Sequence, residues 1–151
     1  ATDINKKRLE TAKQIGADFT INAKEDVSER LIAENNKKAD VVMLCASAVS
    51  AVEQAWKCVD KGGVVVFFAV PGPDKAVTIP INDFWTKEVS MITSYYCGPP
   101  DIVDAIKLIE SGKIKVDDMI THKLPLKDTA KGFQLVRDGH ESLKVIIKPN
   151  E

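Results

Sequence analysis

The sequence predicts an α/β fold, an open and doubly wound parallel sheet, and three observations carry that expectation. Two stretches, "VVMLC" at residues 41–45 and "VVVFFAV" at residues 64–70, are apolar without interruption. Strands of this kind lie inside parallel sheets with helices on both faces. Segments with apolar residues at helical spacing separate them, and the alternation of buried strand with amphipathic helix defines the class. Glycine and proline clusters, "DKGG" and "PGP", mark the turns between.

Taken in order, Asp3 or Asn5 caps a helix over residues 6–15, with Leu9, Ala12 and Ile15 inward and Gly16 just past its end. A short strand "FTIN" follows at 19–22, then a helix over 25–35 with Val27, Leu31 and Ile32 inward. After the strand at 41–45, Ser47 or Ser50 caps a helix running to Val59, and "DKGG" leads into the strand at 64–70. Beyond "PGPDK" the pattern changes. "VTIPI" at 77–81 alternates apolar and polar, and its Pro80 suits an edge strand. A turn of helix at 82–87 and a strand at 89–96 come next. Pro99 and Pro100 open a helix to Ser111, with Ile102, Ala105, Ile106 and Ile109 on one face and Gly112 after it. A strand at 119–123, a helix at 127–137 and a last strand "LKVIIK" complete the chain.

With 151 residues and 44% hydrophobic content, the chain can bury one core and a smaller appendage. Its 21 basic residues are scattered among 22 acidic ones, which leaves no basic face for a nucleic-acid backbone. Cys45, Cys58 and Cys97 stand apart and the two histidines, His122 and His140, have no catalytic or metal-ligand spacing. No metal site is expected here. Cys45 in an apolar strand and Cys58 in a helix read as small core residues in a reducing cytoplasm. No signal peptide or membrane-length apolar run is present.

The stretches that could carry chemistry stand where strands end, the edge at which open α/β sheets bind ligands. Asp3 in "ATDIN" is one, though a helix-capping Asp is the plainer reading. "CASA" at 45–48 and "FFAVPGP" at 67–73 end on small residues against which a flat ring could lie, but turns need small residues anyway. Gly62-Gly63 is a turn into a strand at the opposite edge. Lys144 sits among apolar neighbours in a strand, where most lysines face solvent.

Taken together, "TDINKKRLETAKQIGAD", "ADVVMLCAS", "GGVVVFFAVPGP", "KEVSMITSYYCGPPD" and "MITHKLPLKDTAKGFQLV" resemble the C-terminal half of the zinc-dependent medium-chain dehydrogenases. The likeness is strongest to sorbitol/iditol-type polyol dehydrogenases, and it covers essentially the whole chain in order and spacing. It implies a Rossmann-like cofactor domain over about residues 1–94, from which the first strand and glycine turn are missing. It also implies that residues 95–151 return to a catalytic domain, whose zinc ligands are not in this chain. By resemblance, Asp3 accepts from both adenosine ribose hydroxyls and repels a 2′-phosphate, favouring NAD over NADP. Arg8 matches the basic residue beside that ribose, and Ala46 and Ser47 flank adenine and ribose. Phe68, Ala69 and Val70, with Thr93 and Ser94, match the stretches whose backbone holds the nicotinamide carboxamide. Lys144 matches a position where relatives have Arg or Lys reaching the pyrophosphate, and Tyr95 and Tyr96 fall by the substrate cleft.

The expectation is therefore the cofactor-binding part of an NAD-dependent polyol or alcohol dehydrogenase, inactive alone, with weak NAD affinity. Two rivals remain. One is a non-catalytic module retained for self-association or for pairing with a separate N-terminal chain; the other is an unrelated Rossmann-like domain such as a methyltransferase. A homodimer is expected through residues 77–81 and 89–94, where a sheet edge meets Phe84 and Trp85.

Overall fold

The structure, a computed structural model, describes residues 1–150, and the chain divides into two compact units. The first comprises residues 1–4 and 19–96, the second residues 5–18 and 97–151. Both are parallel α/β assemblies; the sequence predicts such a sheet for the first and only two strands flanking a helix at the end of the second.

In the first unit, β1 (Thr2–Asp3) pairs in parallel with β2 (Ile21–Asn22). Helix α2 (Val27–Asn35) follows, with the Asp26 carboxylate accepting from Glu29 N–H at its start and Asn36 in the left-handed conformation at its end. Strands β3 (Ala39–Leu44), β4 (Val59–Phe67) and β5 (Ser90–Thr93) form a parallel sheet in that order. Helix α3 (Val49–Cys58) connects the first two, and a short α4 (Ile81–Lys87) precedes the third. The core is Leu44, Val52, Ala55, Trp56, Val59, Val65 and Phe84. The Trp56 indole stands edge-on to Phe67 and Phe84, 5.4 and 5.1 Å away, and donates to Thr78 O at 3.1 Å. A smaller cluster of Ile21, Val27 and Cys58 takes in Val42, so β2 and β3 share packing although they do not pair.

Several expectations change here. The apolar strand at 41–45 lies at the side of its sheet, not the middle, and its alternate residues Val41 and Met43 are 59% and 61% exposed while Val42 and Leu44 turn inward. Cys45 falls beyond the strand and is exposed, unlike Cys58, which is buried. Neither Ser47 nor Ser50 caps α3; Ala48 holds that place, its carbonyl accepting from Ala51 and Val52 N–H. β4 stops at Phe67 rather than Val70, because the amides of Phe68 and Ala69 both turn to Leu44 O. No strand forms at 77–81. Pro80 (φ −77°, ψ 74°) makes an inverse γ-turn closed by Ile81 N–H on Ile79 O, and the chain enters α4 at once. Phe84 is a core residue, whereas Trp85 is 81% exposed.

In the second unit, α1 (Lys6–Gln14) is capped by Asn5, whose side chain accepts from Lys7 N–H. Helix α5 (Pro99–Glu110) begins where the Asp101 carboxylate accepts from Gly98 N–H, and none of its residues is buried. Strands β6 (Ile120–Pro125) and β7 (Lys144–Lys148) pair in parallel around α6 (Thr129–Asp138). Gly132 of α6 is buried against them: a Cβ there would lie 3.2 Å from Ile147 Cδ1 and 3.4 Å from Val145 Cγ1. Only a bare backbone lets this helix come so close. α6 ends at Gly139 (φ 65°), whose N–H returns to Leu135 O.

Candidate cofactor-binding site

Parallel strands deliver their C-terminal ends to one side of a sheet, where backbone groups and small side chains meet solvent. In the first unit these ends are joined by main-chain hydrogen bonds. Phe68 and Ala69 N–H reach Leu44 O at 3.1 and 2.9 Å, and Ser94 N–H reaches Phe67 O at 2.9 Å. The register aligns Leu44 with Phe67 and Phe67 with Thr93, so the residues after β3, β4 and β5 emerge level with one another. Ala46 and Ser47 leave β3, Phe68, Ala69 and Val70 leave β4, and Thr93 and Ser94 close β5. The structure thus brings these seven predicted residues to one strip. Phe68 and Val70 are 64% and 61% exposed there, apolar surface suited to a flat ring.

Asp3 ends β1, half-buried, opposite Asn22, and its own carbonyl accepts from Ala23 N–H at 3.1 Å. It stands at the C-terminal end of a parallel strand, as the other predicted residues of this unit do. Arg8 and Lys144 belong to the second unit. Arg8 Nη2 donates to Gly139 O at 2.7 Å and approaches Ser142 O at 3.5 Å, while Lys144 opens β7 and is exposed.

Tyr96 is the residue whose conformation sequence reasoning did not foresee. It has φ 60°, uncommon for a bulky side chain, and its ring stands edge-on to Tyr95, 4.4 Å away, with both rings over 80% exposed. Only its place after an apolar strand could have flagged it. An open groove of about 600 Å³ runs elsewhere, lined by Ser28, Lys38, Glu53, Trp56, Thr78 and Lys87, and holds none of the predicted cofactor residues. Geometry at the strand ends is the better guide to the site than size. Among the described residues no three His, Cys, Asp or Glu side chains come together as a metal would require.

Residues 1–111 match the family of zinc-binding dehydrogenases. The chain belongs to that family. It is 36% identical to the erythritol/L-threitol dehydrogenase of Mycolicibacterium smegmatis, with 99% of the chain and 41% of that protein covered. It is 28% identical to the sorbitol dehydrogenase of Gallus gallus, covering 97% and 41%. Among solved structures, alcohol dehydrogenase TADH from Thermus sp. ATN1 superposes with a TM-score of 0.82 at 27% identity, covering 98% of the chain and 43% of its own. Benzyl alcohol dehydrogenase from Acinetobacter calcoaceticus gives 0.88 at 22% identity, covering 98% and 41%, a likeness of fold. The chain thus spans about two fifths of the length of these relatives and corresponds to their C-terminal part. No helix of the described residues is long and apolar enough to cross a membrane.

Proposed function

We propose that the chain binds the adenosine and nicotinamide ends of NAD for a dehydrogenase acting on a polyol or secondary alcohol, and that it does not turn over alone. The observation carrying this reading is the level emergence of residues 46–47, 68–70 and 93–94 at the strand ends, held by the hydrogen bonds of Phe68, Ala69 and Ser94. NAD, when bound, accepts hydride from the carbinol carbon of the substrate. The chain's own groups orient it. Asp3 accepts from the ribose hydroxyls and opposes a 2′-phosphate, Ala46 and Ser47 flank adenine, and main-chain groups of 68–70, Thr93 and Ser94 hold the carboxamide. Lys144 neutralises pyrophosphate charge.

The described residues do not gather a ligand set that fits zinc, so activation of the alcohol has no seat among them. Incubation with NAD, zinc and sorbitol or erythritol should yield no NADH, while calorimetry should show weak NAD binding that exceeds NADP binding. Zinc-dependent NADH formation abolished by a chelator would overturn the reading, as would a preference for NADP. The three free cysteines fit a reducing, cytoplasmic setting.

Self-association is the second reading, and the exposed ring of Trp85 together with the wholly exposed β5 favours it. β5 is paired on one side only. A two-fold partner would cover both 77–81 and 89–94, and an extended 77–81 needs such a partner to become a strand.

A further inference from the structure

Asp138 and Gly139 form the one Asp-Gly pair of the sequence, which has no Asn-Gly pair. Glycine has no Cβ to crowd its own nitrogen, so that nitrogen can close on the side-chain carboxyl carbon of the aspartate before it. The pair stands at the end of α6. Asp138 is the last helical residue, its carboxylate exposed and 3.6 Å from Arg137 Nε, and Gly139 follows in the left-handed conformation. Gly139 N–H donates to Leu135 O at 3.1 Å, and the hydroxyl of Ser142, a residue 5% exposed, donates to the same oxygen at 2.7 Å. One carbonyl thus closes the turn twice. While it does, the Gly139 nitrogen has its proton engaged, and a helical ψ, about −42° in an ideal helix, turns that nitrogen out of the plane of the five-membered ring it must form. Every group involved lies in the second unit.

We propose that Asp138 is a modification site at which the chain converts by itself to isoaspartate, and that the double closure on Leu135 O sets the rate. When the last turn of α6 opens, the Gly139 nitrogen loses its proton and attacks Asp138 Cγ. The new C–N bond forms, one carboxyl oxygen leaves as water, and a succinimide results. Water then adds to either ring carbonyl. Breaking the bond from nitrogen to Cγ restores aspartate, whereas breaking the bond from nitrogen to the main-chain carbonyl carbon leaves the chain running through Cβ and Cγ with a free α-carboxylate. One water leaves and one returns, so no co-reactant is needed. The isoaspartyl linkage lengthens the main chain by one carbon between Leu135 and Gly139, which draws Gly139 N–H away from Leu135 O.

The test ages the whole chain near neutral pH, folded and in concentrated urea. Mass spectrometry with electron-transfer fragmentation then separates isoaspartate from aspartate in the peptide holding residues 138–139. Isoaspartate should form at residue 138 in urea, and at least roughly tenfold more slowly in the folded chain, because only the locally opened fraction reacts. Ser142→Ala should raise the folded-state rate roughly fivefold, the consequence of one lost hydrogen bond, and leave the rate in urea unchanged. Amide exchange in β6 and β7 shows that the variant is folded. Ser142→Cys keeps a weak donor of similar size and should fall between the two, and it carries the test should the alanine chain not fold. Absence of isoaspartate at residue 138 in urea would sink the site. Equal rates in the folded chain and in urea would overturn the gating, as would a folded Ser142→Ala chain that ages as slowly as the parent.

Discussion

Phe84→Ala should cost the first unit about 3–5 kcal/mol, the range for deleting a buried aromatic ring. Phe84 is 5% exposed, so nearly the whole ring leaves water on folding, a transfer of roughly 1.5–3 kcal/mol. Its edge-on contact with Trp56, 5.1 Å between centroids at 87°, adds about 0.5–1.5 kcal/mol. The remainder comes from the cavity, because Trp56 cannot slide into it: the indole is tied to Thr78 O and packed on Phe67. For a chain of this size the loss corresponds to a midpoint lowered by roughly 10 °C. Urea unfolding followed by tryptophan fluorescence measures it well, since Trp56 is buried and reports the transition, whereas Trp85 is already in solvent. A loss under about 1 kcal/mol with an unchanged denaturant slope would refute the packing argument.

Asp3→Asn removes the charge that would oppose a 2′-phosphate and should raise NADP affinity relative to NAD about tenfold by calorimetry, one charge contact being worth near 1.4 kcal/mol. Trp85→Asp should turn a dimer into a monomer in sedimentation velocity while changing the monomer's unfolding free energy by no more than about 0.5 kcal/mol, the usual effect of a surface change. Gly63→Ala would set a Cβ 2.7 Å from Val59 Cγ2, 2.9 Å from Asp60 O and 3.0 Å from Asp40 O; urea unfolding should register a loss of about 1–3 kcal/mol. Burial pushes the Cys58 thiol above its ordinary value of 9.0. The folded chain then holds that proton more tightly than the unfolded one, so the contribution is complete below pH 9.0 and is lost as pH rises through the folded value. A Cys58→Ala chain should show a flatter decline of stability above pH 9.0 than the parent.

The parallel α/β class was legible because the uninterrupted apolar runs that became β3 and β4 have few other uses. Helices α1, α2, α5 and α6 were legible from apolar spacing and caps, with ends shifted by a residue or two. What the sequence did not disclose depends on neighbours. "VTIPI" has the alternation of a strand, but a strand exists only when another pairs with it, and none of the described strands does. Phe84 and Trp85 are adjacent large aromatics, yet helical geometry points one into the core and the other out. Where β4 ends was settled by Leu44 O accepting two amides, a detail no propensity encodes. The candidate strip itself was visible as small residues after apolar runs, whereas Gly139 and Ser142, whose carbonyls accept from Arg8, lie more than 130 positions away, beyond any local pattern.

Helix α5 buries none of its residues, and Ile102, Ile106 and Ile109 remain 51%, 49% and 44% exposed. What holds it is local: the Asp101 cap on Gly98 N–H and the Lys107–Asp104 pair at 3.2 Å. Twelve residues with no buried side chain are near the limit at which a helix persists in water. Its opening therefore draws little on the free energy of the cores, and its amides should exchange at rates set by fraying while those of β4 wait for global unfolding. A single unfolding midpoint measured on this chain would describe the Trp56 core and say nothing about α5, and a protease would cut first within residues 99–110.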